Sequence, residues 1–311
     1  MAAEPRYVGG QAVVEGVMMR GASTWAVAVR TEVGIEVAVH HAPTWAQRVS
    51  GVPLVRGVAA LAESMALGLR ALTWSTNKQA ADDEVELSKG QLTATLTFAL
   101  VLFCGVFIVF PAVVSKLAQH RLTGRVEFNA FEGVFRLALF LGYIALIGRV
   151  QDVRRLFQYH GAEHKAIAAY ETGVEVTPER AQQFSTEHVR CGTNFLLLVL
   201  VLAIVGHTFV GRPGWAVLLV SRIVLVPVVA GVAYELIRVG AGHMDRPVVR
   251  ALMAPGLALQ RLTTREPDLD QLEVAIAALR AVLTAEQLAE VEARPVAPAV
   301  ASAAAPRVAP A

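Results

Sequence analysis

The sequence predicts a mainly α-helical, polytopic membrane protein with about four spans and a small N-terminal cytoplasmic β-hairpin region, and three observations carry that prediction. Of 311 residues, 55% are hydrophobic and only 17% are charged, whereas about a quarter are charged in soluble domains. The mean hydropathy is +0.50, a composition that must be buried in protein or in lipid. Four apolar runs of spanning length lie between residues 92 and 237, with Lys and Arg gathered on alternate sides of them. The charges also remove a function class. With 28 Lys and Arg against 26 Asp and Glu there is no strong basic field, so nucleic acid is not an expected partner.

Residues 1–91 read as a cytoplasmic region. The opening Met-Ala-Ala-Glu-Pro-Arg carries an acid and no apolar core, unlike a cleaved signal peptide. Residues 9–21 hold four glycines in a spacing that matches neither a dinucleotide fingerprint nor a phosphate loop. This stretch reads as a glycine-pinned turn, or as a substrate-facing segment contacting its ligand through Glu15 and Arg20. Residues 25–29 and 35–39 are β-prone runs around Glu32-Val33-Gly34, which predicts a hairpin. Residues 53–75 read as a helix, interfacial or packed, with Arg56, Glu63 and Arg70 seven residues apart on one side.

Residues 92–237 read as the membrane domain. Residues 92–114 carry no charge and exceed the roughly 20 residues a span requires. In the second span, residues 128–148, Glu132 and Arg136 share a helical face and neutralise each other. The third, residues 191–211, has no Asp, Glu, Lys or Arg and enters lipid near Phe195; His207 within it is expected to be a satisfied or interface histidine. The fourth, residues 215–237, carries Arg222, which snorkels, pairs with Glu132 or serves function, and it ends near Glu235. The loops facing one side hold eight, six and eight Lys and Arg, and those facing the other hold three and one, which sets both termini in the cytoplasm. Residues 238–291 read as cytoplasmic helices, two of them opened by capping boxes at Asp268–Gln271 and Thr284–Gln287. Residues 292–311 read as a disordered Ala/Pro tail. The two cysteines, Cys104 and Cys191, lie in unlike surroundings and are not expected to meet.

The chemistry centres on His160-Gly-Ala-Glu163-His164. Residues four apart share a helix face, so both imidazoles can reach one divalent metal, zinc being the natural choice for such ligands. The H-x-x-E-H spelling is that of inverted zincins, in which the glutamate is general base to the metal-bound water. The competing reading is a polar face on a cytoplasmic helix. Other candidate ligands fall at the same membrane face: His188 and Cys191 precede the third span, and a third ligand from Glu235, Glu171 or His188 would leave one position open for water. His188 to Cys191 reads equally as a simple helix entry capped by Thr193 or Asn194.

The runs GGQAVVEGVMMRG, YHGAEHKAIAAYETG, RCGTNFLL, AYELIR and APGLALQRLTTREPDLDQLEVAIAAL, spread from residue 9 to residue 279, resemble the YqhQ-like family of bacterial membrane proteins. That family is a domain of unknown function usually labelled a predicted metal-dependent enzyme. The resemblance marks His160, Glu163, His164, Glu171, His188, Cys191, Glu235, Glu15 and Arg20. Val189 stands where the family pattern often has proline, a departure that removes no ligand. The implied activity is hydrolysis of a peptide, acyl or ester bond near the cytoplasmic membrane surface. Its rival is a non-catalytic membrane scaffold or binding protein, for which Arg149, Arg154 and Arg155 supply basic contacts to lipid headgroups.

Overall fold

The computed structural model describes residues 8–82, 89–122 and 124–292. Strands β1 (Gly9–Val13), β2 (Gly16–Arg20), β3 (Thr24–Thr31) and β4 (Gly34–His41) form an antiparallel meander in the order β1-β2-β3-β4. The expected hairpin is its second half, with Thr31 opposite Gly34 and Thr24 opposite His41. The glycine-rich stretch is a second hairpin and not a turn, with Val13 opposite Gly16 and Gly9 opposite Arg20. Two features hide it from sequence. Glycine is depleted in strands, and β2 is buried almost throughout, so it lacks the polar alternation of a half-buried strand. Gly16 is there for close approach, because a Cβ would overlap the Ala28 carbonyl oxygen of β3.

Eleven helices follow among the described residues: α1 (Val55–Asp82), α2 (Lys89–Cys104), α3 (Phe110–Leu117), α4 (Arg125–Ile147), α5 (Gln151–Thr172), α6 (Pro178–Ala181), α7 (Gly192–Val210), α8 (Trp215–Ala241), α9 (Pro247–Thr263), α10 (Leu269–Val282) and α11 (Ala285–Glu292). Helices cover both faces of the sheet. On one face Leu67 and Ala71 of α1 pack against Met18, Val27 and Val29. On the other, Val17, Met19, Ala26 and Ala28 pack against Tyr159 and Ala166 of α5 and Leu272 and Leu279 of α10. The strand period of two sends alternate residues to the two layers. Glu63, Leu67, Ala71 and Ser75 form the buried stripe of α1 at four-residue spacing. Glu63 is therefore not on a polar side with Arg56 and Arg70; it lies under the sheet, paired with Arg20 and accepting the Ala46 N–H at 3.0 Å.

Among the described residues, four helices are long and apolar enough to cross a bilayer: Thr93–His120, α4, α7 and α8. The first joins α2 to α3 through a π-helical turn, Gly105–Val109. Their outward residues are apolar, among them Phe98, Val101, Leu102, Val220, Ile223 and Val224, as a lipid-facing surface requires. Their ionic residues turn inward: Glu132 pairs with both Arg136 and Arg222. Arg222 thus pairs with Glu132, one of the three roles the sequence left open.

Both predicted capping boxes form. Gln271 N–H donates to Asp268 Oδ1 at 2.8 Å while Asp268 N–H donates to Gln271 Oε1 at 3.1 Å, and Thr284 and Gln287 repeat the pattern. Helix α9, unmarked by any cap in the sequence, runs from the end of α8 to the loop before α10. Leu259 of α9 packs with Phe107 and Phe140, and Val248 and Leu252 face outward. The Ala/Pro tail lies outside the described residues, apart from its first residue, Glu292, which ends α11.

Candidate metal centre

Helix α5 carries His160 and His164 one turn apart, as the H-x-x-E-H spacing requires, with ring centroids 4.5 Å apart. Each ring is held from behind. His160 Nδ1 donates to the Thr263 carbonyl at 2.9 Å, and His164 Nδ1 donates to the Thr186 carbonyl at 2.5 Å. A carbonyl only accepts, so both Nδ1 atoms carry a proton, and in the neutral ring it is Nε2 that holds the lone pair. This is the arrangement that orients histidine toward a metal. Gly161 lets the carbonyl of Arg265 lie against α5, where a Cβ would overlap it.

The third donor is Cys191. It caps α7, its Sγ accepting the Thr193 N–H at 3.5 Å, so the residue that opens the span is the cysteine and not Thr193 or Asn194. Its sulfur stands 3.3 Å from His160 Nε2. Nitrogen and sulfur ligands of a tetrahedral zinc would stand about 3.6 Å apart, so this pair sits within a few tenths of an ångström of the spacing zinc needs. The ligand atoms of His160, His164 and Cys191 all lie within 4.8 Å of one another, the group among the described residues that could hold a metal.

The electrostatics suit ligation. Burial, helped by the neighbouring histidines, pushes the His164 imidazolium below its usual range, against an opposing hydrogen bond and charge from Cys191. Burial pushes the Cys191 thiol up, but the hydrogen bond and charge of His164, with the hydroxyl and N–H of Thr193, outweigh it and lower the thiol overall. A neutral imidazole and a thiolate are the forms that bind metal.

Glu163 sits beside the donors, buried, with no hydrogen-bond partner for Oε2. Burial pushes its carboxyl up to about 8, against a smaller lowering by His160. Strand β1 covers it: a Cβ on Gly10 would lie 2.8 Å from Glu163 Cγ and 2.9 Å from Cδ and Oε1. Only glycine at position 10 leaves the carboxyl room, which ties the first glycine-rich motif to the H-x-x-E-H helix.

The other residues singled out by sequence lie apart from this donor group. Glu235 pairs with Arg56 and accepts the Leu54 N–H at 3.2 Å, joining α8 to the start of α1. Glu171 pairs with Arg190, and His188 Nε2 faces Glu171 at 3.5 Å. The His188 ring still borders the site, its centroid 5.6 Å from that of His164. None of the three candidate third ligands is in the donor group. Glu15 pairs with Arg155 and accepts the Tyr159 hydroxyl at 3.3 Å, and Arg20 pairs with Glu63.

Sequence reasoning missed Gln260, which is fully buried on α9. Its Oε1 accepts the His188 N–H at 2.7 Å and its Nε2 donates to the His188 carbonyl at 2.8 Å. It fastens the strand of chain that carries both Thr186 and Cys191. Nothing in the sequence distinguishes this glutamine from a surface one.

The family described as "Protein of unknown function (DUF1385)" matches residues 52–285. The chain belongs to this family. An "Uncharacterized protein YqhQ" from Bacillus subtilis (strain 168) is 33% identical over 308 residues, covering 94% of this chain and 96% of that protein. The family match takes in α5, Cys191 and Gln260 but begins after Gly10, whereas the likeness to the Bacillus protein covers nearly the whole chain. No solved structure matches.

Proposed function

We propose that this DUF1385 protein is a metal-dependent hydrolase of the bacterial cell membrane, with four spans and both termini in the cytoplasm. His160, His164 and Cys191 hold a divalent cation, zinc by the softness of the set, and Glu163 is the general base. One observation carries the reading: two imidazoles, each with its Nδ1 held by a main-chain carbonyl, gather at one cysteine sulfur, His160 Nε2 at 3.3 Å from it and the ligand atoms of all three residues within 4.8 Å of one another. Three protein donors are the complement of a catalytic zinc site, which keeps a fourth position open, whereas structural sites close with four.

Such a cation lowers the pKa of a bound water and polarises a carbonyl. The chain supplies the rest. Glu163 offers Oε2, unbonded within the protein, as the atom that takes a proton and later returns it. Gly10 gives that carboxyl its space, and the wall made by β1 keeps bulk water from its far side. His160, the half-buried member of the trio, marks the side from which a substrate enters. The substrate class is a peptide, acyl or ester bond presented near the cytoplasmic membrane face, because Cys191 is the first residue before a span.

Elemental analysis of the detergent-purified protein tests the centre. One equivalent of metal should be present in the wild type and absent from a His160→Ala, His164→Ala double variant. Undiminished stoichiometric metal in the double variant would rule the site out. Glu163→Gln then separates catalysis from structure: metal content stays while the cellular function of the protein is lost. Full complementation by that variant would favour the scaffold reading. Reporter fusions after Gln119 and Arg212 should read outside and those after Glu179 and Gln287 inside.

A further inference from the structure

The four long helices hold a second polar centre remote from the histidines. His207 of α7 is 16 residues beyond Cys191, about 24 Å along the helix. Near it, Glu132, Asn129 and Arg136 of α4 and Arg222 of α8 are all more than nine-tenths buried. Arg222 takes Glu132 in a two-pronged grip, Nε to Oε1 at 3.0 Å and Nη2 to Oε2 at 2.5 Å, and adds Asn129 Oδ1 at 3.0 Å. That pair is neutral and well bonded.

Arg136 is surplus. It donates to Glu132 Oε1 at 2.5 Å, an oxygen Arg222 already occupies, and its Nε is buried with no partner. A guanidinium has five donors and cannot give up its charge. Two guanidiniums face one carboxylate, so the centre carries a net positive charge among the described residues. Asn129 adds no charge, and His207 adds only positive charge if it protonates. An uncompensated charge removed from water is costly, and an ionisable group inside a helical bundle points by default to a functional site with a partner for it.

We infer that Arg136, beside the Arg222–Glu132 pair, is a binding site for a single oxyanion, a phosphate or carboxylate group, between α4, α7 and α8. The chemistry is shared by an anionic lipid headgroup and by a soluble anion. This site is independent of the metal centre, at the other end of α7, and neither inference needs the other.

Thermal unfolding of the full chain in detergent tests it with two probes: phosphatidylglycerol against phosphatidylcholine in mixed micelles, and sodium phosphate against sodium chloride at equal ionic strength. One anionic probe should raise the unfolding midpoint of the wild type in a saturable way. A response to phosphatidylglycerol alone identifies a headgroup, and a response to phosphate identifies a soluble ligand. Arg136→Gln leaves the neutral Arg222–Glu132 pair, so it should accumulate as folded protein and bind the active probe at least about tenfold more weakly, the loss of one charge-assisted contact. Arg136→Lys keeps the charge and should keep a weakened response. A wild type unmoved by both probes, an equal response in Arg136→Gln, or an Arg136→Gln variant that no longer folds would each overturn the assignment, the last by making the guanidinium structural.

Discussion

Replacing Glu163 by glutamine should stabilise the metal-free protein, and increasingly so as the pH rises. The carboxyl is buried, with one oxygen unbonded, and burial lifts it from its ordinary 4.5 to about 8. A rise of that size is equivalent to about 5 kcal/mol, an upper figure. The sign follows from proton counting. Below pH 4.5 folded and unfolded chains both hold the proton, and no penalty exists. Between 4.5 and 8 the unfolded chain releases it and the folded chain keeps it, so the folded state loses ground with every step of pH. Above 8 the penalty is complete. Glutamine has the same shape and no such cost. Unfolding midpoints of chelator-treated wild type and Glu163→Gln, measured in detergent across this range, should coincide at the acid end and diverge by several degrees at the alkaline end. Saturating zinc should close the gap, because a cation beside the carboxylate favours its ionised form. A difference independent of pH, or a wild type that is the more stable at the alkaline end, would refute the buried, unpaired environment assigned to Glu163.

Gly10→Ala should cost about 1–3 kcal/mol of stability, read from the unfolding midpoint, because its Cβ would lie 2.8 Å from Glu163 Cγ. Its loss of cellular function should exceed that of an equally destabilising Ala28→Val. Gln260→Leu leaves the buried His188 N–H unpaired and takes from the His188 carbonyl one of its two donors, the Cys191 N–H remaining; metal affinity, measured by competition with a chelator, should fall about 10- to 100-fold. Glu235→Gln should leave metal content unchanged, since its carboxylate serves Arg56; loss of metal in that variant would restore Glu235 as a ligand.

The helices were legible in the sequence where one physical signal sufficed. Long apolar runs, two of them free of charge and two with a few ionic residues, marked the four long helices, and the Asp268 and Thr284 capping boxes marked α10 and α11. The His160–His164 pair was legible because helical spacing alone brings two rings together. The rest needs tertiary knowledge. Strands β1 and β2 were obscured because β2 is covered on both sides and Gly10 and Gly16 look like turn residues. The choice of Cys191 over Glu235, Glu171 and His188 turns on which side chains already have partners, and no helical spacing pairs Arg56 with Glu235, 179 residues away, or Arg190 with Glu171, 19 residues away. Thr186 and Thr263 act through main-chain carbonyls, which leave no mark on residue type.

The donor group is assembled where the sheet with its covering helices meets the long apolar helices, and its parts arrive from both. Helix α5 is packed on the sheet and brings His160, Glu163 and His164. Cys191 caps the start of α7, and α9 reaches the site with Gln260 and Thr263 while its other face, Val248 and Leu252, points outward. Glu63 under Arg20 and Glu235 under Arg56 join the same two parts through α1. These carboxylates are therefore braces for the site and not members of it: each fixes α1 between the sheet and α8, and so fixes the frame in which α5 meets α7. Any displacement of α9 would carry the Thr263 carbonyl away from His160 and the Gln260 amide away from the Cys191 loop together, so under the proposed function metal affinity would be coupled to the seating of this one helix.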